Sequence, residues 1–426
     1  MTRKPEAGSQ KPESKNNRSL LAFLSSGSWL PFLFVTSFCA FVLGSVLAFG
    51  LGRASTAEPN RIIAIADIHG DVDSFVSILT KTGLIDANRR WAGGKTTLVL
   101  TGDFTDRGPK VRAVIDLLMA LEREAPRQGG RVRITLGNHE VLNIVGDLRY
   151  VTAADYVSFT DAKSEGRRKE AFASYAKLEA SKGRTAREPA WMDAHPPGFV
   201  EHREAFDPNG KYGRWLRTLP AVIKIEDTVF LHGGISPQLA PVSIDRISSA
   251  VQGELKLFDS YKQYMVEQKI ALPFYTLEEL AAAAKSEMDT LNNAIAQRPQ
   301  GKDSGGTAAE REHLSRLEGF LGFGGWLCIH PDGPLWFRGY DRWSDQEGEP
   351  LISAILTSLQ ASRIVVGHSP QPGQIRPRFG GKLFLIDTGM LAGYFPEGRP
   401  SALELSGAKV TLIYADRDAG RIPLRR

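Results

Sequence analysis

The chain has 426 residues, of which 42% are hydrophobic, so it is long and apolar enough to form a large globular domain. Its formal net charge is +5, but residues 1–28 contribute +3 of that charge, and the nearly neutral remainder argues against a nucleic-acid partner. The two cysteines, Cys39 and Cys328, exclude a disulfide framework and a zinc cluster held by thiolates.

The N-terminal part of the chain is typical of a membrane-anchored protein. Residues 1–28 are rich in Ser, Lys, Asn and Pro, and we expect this basic segment to be disordered. The 23 residues from Leu30 to Gly52 carry no charge, and a helix of that length crosses the roughly 30 Å hydrocarbon core of a bilayer. We therefore predict one transmembrane helix over residues 29–52, preceded by positive charges that keep the N-terminus in the cytoplasm.

A cleaved signal peptide is the alternative interpretation of this apolar segment. Ser55, Thr56 and Ala57 are small residues at a position where a signal peptidase would cut. The two interpretations differ in whether the protein stays in the membrane or is secreted. Both place the rest of the chain outside the cytoplasm, which is the periplasmic side in a bacterium.

Beyond a short linker, six apolar runs rich in β-branched residues predict buried strands. These runs are Ile62–Ala66, Thr97–Thr101, Val132–Leu136, Val229–Leu231, Ile364–Val366 and Leu383–Ile386. Helical patterns at Val72–Leu79 and Val111–Leu121 separate the first three runs. Strands that alternate with helices in this way predict an α/β fold.

Two longer stretches, at residues 148–215 and 243–335, interrupt this alternation. The first also contains a Pro/Gly segment from His195 to Gly213. The helical patterns in the two stretches are Gly166–Glu179, Glu254–Lys269 and Leu277–Ala296. We interpret both stretches as insertions into one domain.

Clusters of polar residues follow five of the predicted strands. They are Asp67-Ile68-His69-Gly70-Asp71, Gly102-Asp103-Phe104-Thr105-Asp106-Arg107-Gly108, Gly137-Asn138-His139-Glu140, His232-Gly233-Gly234 and Gly367-His368-Ser369. Functional loops in open α/β sheets gather at the carboxyl ends of the strands. Asp67, Asp103 and Asn138 are 36 and 35 residues apart, which suits one strand–helix unit each, so neighbouring strands would bring them together.

The residue types in these clusters suit a pair of divalent metal ions. Carboxylate, imidazole and amide groups together favour Mn, Fe or Zn. Asp67 and His69 could bind one ion, and Asp103 could bridge to a second ion about 3.5–4 Å away. The second ion would be completed by Asn138, His232 and His368. Each cluster alone is more typical of a turn or a surface ion pair, but five in order on one chain favour a site.

The clusters resemble the signatures GDxHG, GDxxDRG, GNHE and HGG of the phosphoprotein-phosphatase group of the calcineurin-like metallophosphoesterases. Longer segments are similar to the Shewanella-like protein phosphatase branch of that group. These segments are GNHEVLNIVGDLRYV at 137–151, PPGFVEHREAF at 196–206, GPLWFRGY at 333–340, VGHSPQPG at 366–373 and IDTGMLAGYFPEGRPSALEL at 386–405. The similarity covers residues 61–412, beyond which 413–426 form a basic tail. Ala66 departs from the pattern, because the first motif usually has glycine there.

The resemblance implies a four-layer αββα sandwich with helical insertions and a site at the top of its two sheets. It implies that one metal ion is bound by Asp67, His69 and Asp103. It implies that the other ion is bound by Asp103, Asn138, His232 and His368. Every one of these ligand residues is present, so we expect the extra methyl group of Ala66 to be tolerated.

The resemblance also implies the roles of four further residues. His139 matches the general acid, Asp106 matches the carboxylate that orients it, and Arg107 and Arg338 match arginines that clamp the phosphate. The two ions would lower the pKa of a bridging water, so that hydroxide attacks the phosphorus directly. His139 would then protonate the leaving oxygen, and no covalent phosphoenzyme is expected.

A phosphoprotein or phosphopeptide is the substrate that the resemblance implies, with phosphotyrosine among the possibilities. Hydrolysis of dinucleoside polyphosphates is an alternative activity, against which the Asp106-Arg107-Gly108 run argues. A membrane-anchored binding protein without turnover is a further alternative. The retention of all the ligand-type residues and of His139 argues against that last interpretation.

Overall fold

The computed structural model describes residues 60–301 and 304–416. The predicted disordered segment, the predicted transmembrane helix and most of the predicted basic tail lie outside these residues. Within the described part of the chain, no helix is both long and apolar enough to cross a bilayer.

Ten strands and thirteen α-helices form the described part of the chain. The strands are β1 (Arg61–Ile65), β2 (Thr97–Leu100), β3 (Arg131–Ile134), β4 (Val222–Ile225), β5 (Thr228–Leu231), β6 (Arg363–Val366), β7 (Arg376–Arg378), β8 (Leu383–Leu385), β9 (Ser401–Ser406) and β10 (Lys409–Tyr414). The first eight helices are α1 (Val72–Lys81), α2 (Val111–Glu124), α3 (Asn138–Val145), α4 (Ala153–Ser158), α5 (Ser164–Ser181), α6 (Glu188–Ala194), α7 (Phe199–Phe206) and α8 (Lys211–Leu216). The remaining helices are α9 (Ile244–Glu267), α10 (Leu277–Ala296), α11 (Ala308–Leu321), α12 (Gly339–Arg342) and α13 (Asp345–Ser358).

The strands form two five-stranded mixed sheets. The first has the order β10-β9-β1-β2-β3, with β1, β2 and β3 parallel and β9 antiparallel to β1. The second has the order β4-β5-β6-β8-β7, with β5, β6 and β8 parallel. All six predicted strands are present, and they supply the parallel part of both sheets. The parallel strands matter for function because their carboxyl ends share one edge of each sheet.

An apolar core joins the two sheets face to face. It contains residues of both sheets, among them Ile62, Ala64, Val99, Leu403, Phe230, Val365 and Phe384. Alternate residues of β1 and β2 that point the other way, such as Ile63 and Leu98, are also fully buried. Because side chains alternate across a strand, burial on both faces means that the first sheet is covered on both sides. The predicted α/β class is therefore confirmed as a two-sheet fold with helices.

The helical insertions agree with the sequence patterns except in one segment. The pattern at Gly166–Glu179 lies within α5, and the pattern at Leu277–Ala296 coincides with α10. The Pro/Gly segment from His195 to Gly213 contains helix α7 and the start of α8. Two of its glycines precede helices: Gly198 precedes α7 with φ +90°, and Gly210 precedes α8, where a Cβ would lie 2.1 Å from the carbonyl oxygen of Glu204.

Four strands were not predicted, namely β4, β7, β9 and β10. Strands β9 and β10 form an antiparallel hairpin whose turn contains Gly407 at φ +57°. Strand β9 also pairs with β1 and extends the first sheet. Strand β10 continues to Tyr414, past the predicted end of the domain at residue 412.

Candidate active site

The structure brings the six predicted metal ligands together at the carboxyl ends of five parallel strands. Asp67 and His69 follow β1, Asp103 follows β2, Asn138 begins α3 just after β3, His232 follows β5 and His368 follows β6. All six side chains are buried, with at most 5% of their surface exposed. Both sheets therefore contribute to one cluster.

Asp103 lies at the centre of this cluster. Its Oδ2 atom is 3.7 Å from Nε2 of His69, 3.8 Å from Nε2 of His139 and 3.2 Å from Nε2 of His232. Two groups of ligand-type side chains share it, one with His69 and His139 and the other with His232 and His368. Within each group the ligand atoms lie within 4.8 Å of one another. A carboxylate shared by two groups fits a pair of cations.

Hydrogen bonds to backbone carbonyls orient three of the histidines toward the cluster. The outer ring N–H groups donate to backbone carbonyls: Nδ1 of His69 to Thr105 at 2.9 Å, Nδ1 of His232 to Thr101 at 2.8 Å and Nε2 of His368 to Trp336 at 3.1 Å. The inner nitrogens of His232 and His368 are only 3.1 Å apart. Ring nitrogens this close together suit the binding of one cation, and ligand histidines in metal sites are held in this way.

The charges of the cluster also fit bound cations. Burial raises the pKa of Asp67 well above its usual range, and the neighbouring carboxylates of Asp387 and Asp103 raise it further. Burial lowers the pKa of both His69 and His368, so their imidazoles are neutral and able to bind metal. Buried carboxylates next to neutral imidazoles need positive charge from another source.

Asp387 was not among the predicted site residues. It follows β8, the third parallel strand of the second sheet, and only 3% of its surface is exposed. Burial raises the pKa of Asp387 to about 6, and the charge of Asp103 contributes to this rise. A hydrogen bond donated by the backbone N–H of Gly389 acts in the opposite direction and lowers the pKa. Its place after a predicted strand was the signal that could have identified it.

His139 and Asp106 form a buried pair beside the cluster. Nδ1 of His139 lies 2.7 Å from Oδ2 of Asp106, which leaves Nε2 of His139 facing Asp103. Burial lowers the pKa of His139, but Asp103 and Asp106 outweigh that effect and raise it above 6.5. Asn143 lies one turn along α3 and donates from Nδ2 to Oδ1 of Asp106 at 2.7 Å. A histidine held in this way can carry a proton toward the cluster.

Glu140 is a second residue of the site that was not predicted from the sequence. Its buried carboxylate accepts hydrogen bonds from the backbone N–H groups of Asp103, Phe104, Thr105 and Gly137 and from the Thr105 hydroxyl, at 2.8–3.0 Å. It therefore fixes the loop after β2 against the start of α3. The signal in the sequence was its position three residues after Gly137, where an acidic side chain accepts from the start of a helix.

Backbone strain is concentrated in the same loops. The described residues include eleven non-glycine positions with positive φ. Six of them lie at the site, namely Asp67, His69, Asp103, Asp106, Arg107 and His368. Positive φ is costly for these residue types, and such strain persists where the surrounding hydrogen bonds hold it and commonly marks a functional site.

Arg107 and Arg338 border the cluster on different sides. Nη1 of Arg107 donates to Nε2 of His69 at 3.0 Å, and its guanidinium lies 4.2 Å from the ring centre of Tyr394. Tyr150 lies 5.6 Å from the same guanidinium and is also partly exposed. Arg338 donates from Nη1 to the carbonyl of His368 at 2.8 Å. Both guanidinium groups therefore lie where they would contact an anion bound at the cluster.

The methyl group of Ala66 lies in the apolar core between the two sheets. Ala66 is 3% exposed, and Asp67 beyond it still accepts hydrogen bonds from the backbone of His368. Ala66 therefore packs in the core, and Asp67 keeps its place in the cluster.

Comparisons with known proteins define the class to which this fold and site belong. The sequence profile of the calcineurin-like phosphoesterase family matches residues 60–263. Residues 60–263 thus carry a calcineurin-like metallophosphoesterase domain, and this domain supports a hydrolase.

Its homologues include Shewanella-like protein phosphatases. The chain is 32% identical over 207 residues to Shewanella-like protein phosphatase 2 of Arabidopsis thaliana, a match that covers 47% of this chain and 53% of that protein. It is 26% identical over 358 residues to Shewanella-like protein phosphatase 1 of Plasmodium berghei, covering 83% of this chain and 74% of that protein. The crystal structure of a cold-active protein-tyrosine phosphatase of a psychrophile Shewanella species superimposes on this chain with a TM-score of 0.54. It covers 86% of this chain and 81% of that chain at 21% identity, a likeness that shows the fold.

Proposed function

We propose that this protein is a metal-dependent protein phosphatase with a dinuclear centre. The observation that carries the proposal is the set of buried histidines that backbone carbonyls orient toward Asp103, next to a proton-carrying His139. The phosphatase names of its relatives support the choice of substrate.

The proposed ligands divide between two ions that share Asp103. Asp67 and His69 would hold one ion, and Asn138, His232 and His368 would hold the other. Mn, Fe or Zn suits this mixture of carboxylate, amide and imidazole ligands. When bound, such ions supply an acidified water as the nucleophile and neutralise the charge of the phosphate.

The remaining side chains would bind the ester and deliver a proton. Arg107 and Arg338 would donate to phosphate oxygens, since both guanidinium groups border the cluster. A cation at Nε2 of His69 would compete for the lone pair that Arg107 now uses and leave that arginine for the substrate. Nε2 of His139 would give its proton to the leaving oxygen while Asp106 holds Nδ1.

We further propose that phosphotyrosyl side chains are among the substrates. Tyr150 and Tyr394 are partly exposed aromatic residues beside Arg107, and the ring of Tyr150 lies 4.8 Å from that of His139. An aryl leaving group next to His139 would find aromatic surface there. A serine or threonine phosphate offers no ring to fill that space.

A membrane-anchored location outside the cytoplasm is part of the proposal, on the strength of the uncharged segment from Leu30 to Gly52. A reporter fused after Arg426 should be active only where that reporter works outside the cytoplasm. Full activity of a strictly cytoplasmic reporter would overturn this orientation.

Turnover of a substrate panel, combined with metal analysis, tests the proposed activity. The protein should release phosphate from phosphopeptides, fastest from phosphotyrosyl peptides, and should contain about two metal ions per chain. Diadenosine tetraphosphate should be a poor substrate at the same concentration. Faster turnover of diadenosine tetraphosphate than of phosphopeptides would show that the protein is a nucleotide hydrolase and not a protein phosphatase. The absence of turnover with both metal ions bound would favour a binding protein.

A further inference from the structure

A groove of about 580 Å³ lies at the amino ends of β2 and β3, on the side where β3 and β4 form the edges of their sheets. Its charged lining residues are Lys95, Arg131, Arg133, Lys224 and Glu226, and we call it the basic groove. Four cations thus surround one carboxylate.

Three of these cations have no partner in the described part of the chain. Lys95, Arg131 and Arg133 are exposed, and within residues 60–301 and 304–416 none of them forms an ion pair or a side-chain hydrogen bond. The carboxylate of Glu226 accepts a hydrogen bond from Nδ2 of Asn60 at 2.8 Å. The concentration of unpaired positive charge in a concave surface fits an anionic partner.

Protection of sheet edges accounts for only part of this arrangement. Charged side chains on edge strands prevent pairing with other chains, which explains Arg131 and Arg133 on β3 and Lys224 on β4. Lys95 precedes β2, an interior strand, and still lines the same groove. Its presence there points to a function of the groove itself.

The groove and the candidate active site lie at opposite ends of the parallel strands. Lys95 precedes β2 and Asp103 follows it, while Arg131 begins β3 and Asn138 follows that strand. Four residues of strand separate the ends by about 13 Å. An anion in the groove is therefore not the phosphate that would be hydrolysed.

The groove lies close along the chain to the predicted transmembrane helix. Asn60, which lines it, is separated from Gly52 by seven residues. Even a fully extended chain of that length spans at most roughly 28 Å. A helix that ends at Gly52 would hold the groove within that distance of the membrane surface.

We propose that the basic groove binds the headgroups of anionic phospholipids, an inference that rests on the proposed membrane anchor but not on the phosphatase activity. Cations within a Debye length of an anionic bilayer are attracted to it, and arginine forks match phosphodiester oxygens. Binding there turns the carboxyl ends of the strands, and the candidate active site with them, away from the bilayer. The site then faces soluble phosphoproteins.

The accessibility of Lys95 to an amine-reactive reagent tests this proposal on the full chain. The chain is placed in nanodiscs of phosphatidylcholine alone or with about 30% phosphatidylglycerol, and acylation of each lysine is followed by mass spectrometry. Lys95 should react at least about five-fold more slowly in the anionic discs. Lys169, an exposed lysine on α5, is the internal reference and should react equally in both. Equal rates for Lys95 in the two discs would overturn the proposal.

Two variants distinguish an effect of the groove residues from an effect of the protein's net charge. The double variant Arg131→Gln/Arg133→Gln should restore fast acylation of Lys95 in the anionic discs. The control variant Lys177→Gln/Lys285→Gln removes the same charge from exposed positions on α5 and α10, and it should leave Lys95 protected. If Lys95 lost its protection in the control variant, the protein's overall charge, and not the basic groove, would account for binding to the anionic lipid.

A soluble anion is the competing occupant. About 10 mM inorganic phosphate, added to phosphatidylcholine discs at constant ionic strength, should not protect Lys95. If phosphate protected Lys95 as well as the anionic discs do, the ligand of the groove would be a soluble phosphate and not a lipid headgroup. A chain that elutes separately from the discs would refute the predicted membrane anchor but would not test lipid binding by the groove. In that case, the acylation rates of Lys95 measured with preformed vesicles of both compositions would test whether the groove binds anionic lipid.

Discussion

Glu140 and Asp155 are two fully buried carboxylates, fifteen residues apart, in surroundings that differ sharply. Glu140, in the candidate active site, accepts five hydrogen bonds from the loop after β2 and the start of α3. Asp155, on α4 of the first insertion, has no partner for either side-chain oxygen among the described residues. Burial, and then the charge of Asp106, raise the pKa of Asp155 to about 7.

The insertion contains other buried polar groups without partners. Both ring nitrogens of His202, and Nε and Nη2 of Arg203, lack hydrogen bonds among the described residues, and both side chains are at most 2% exposed. Nη1 of Arg203 does donate to the carbonyl of Asn143 in α3. The contacts of Glu140 thus hold the loop after β2 with satisfied hydrogen bonds, whereas α4 and α7 bury polar groups that lack partners, at a cost in stability.

The largest expected effect is that of Asp103→Asn, which removes the shared carboxylate. Metal analysis should show loss of both ions, and turnover should fall below detection because Asp103 is the residue that both ligand groups share. A variant that retained two metal ions and a near-normal rate would show that Asp103 does not bridge. Thermal unfolding of the metal-free forms serves as the control for folding.

His139→Ala should retain its metal ions and lose activity. The expected fall in kcat is about a hundred- to ten-thousand-fold, typical of a lost general acid. The fall should be smaller for nitrophenyl phosphate, whose leaving group departs without a proton. An equal loss for all leaving groups, or loss of metal, would remove His139 from the acid role, and Asp106→Asn should show the same pattern more weakly.

Asp155→Asn should stabilise the protein at high pH. The folded state holds a proton on Asp155 that the unfolded state releases between pH about 4 and about 7, so wild-type stability falls as pH rises through that window. At pH 8 the variant should be more stable by on the order of 2–4 kcal/mol, and at pH 4 the difference should vanish. Urea unfolding of residues 58–426 at both pH values measures this, and a difference independent of pH would contradict it.

Glu140→Gln should have the opposite effect on stability. The amide retains one acceptor oxygen and places an NH2 group against backbone N–H donors, so we expect a loss of about 1–3 kcal/mol. The loss should persist across neutral and alkaline pH, the range in which Asp155→Asn should stabilise the protein. An unchanged urea midpoint would show that the loop after β2 is held by other contacts.

Asn143→Ala should have the smallest effect, a fall in kcat of about ten-fold without loss of metal, because Asn143 positions Asp106 and touches no substrate. The distinguishing measurement is the pH–rate profile, whose basic limb should move when Asp106 is less firmly held. Asn143→Asp keeps the size of the side chain but not its donor, and restored activity there would contradict the positioning role.

The residues after each parallel strand could be identified from the sequence because they are local features. Short β-branched runs predict buried strands, and the polar cluster after each run marks its carboxyl end, so the six candidate ligands and the existence of the six parallel strands followed without tertiary information. The helices of the insertions were also predicted where their apolar periodicity is regular, as at Leu277–Ala296.

Only the tertiary structure decided which groups meet across long separations. Asp387 lies beside Asp67, more than three hundred residues away, because β8 and β1 belong to different sheets packed face to face. The pairing of β9 with β1 and the absence of partners for Asp155 depend on the same packing. A strand pattern fixes which face a side chain occupies, but burial and hydrogen bonding depend on what the fold places against that face.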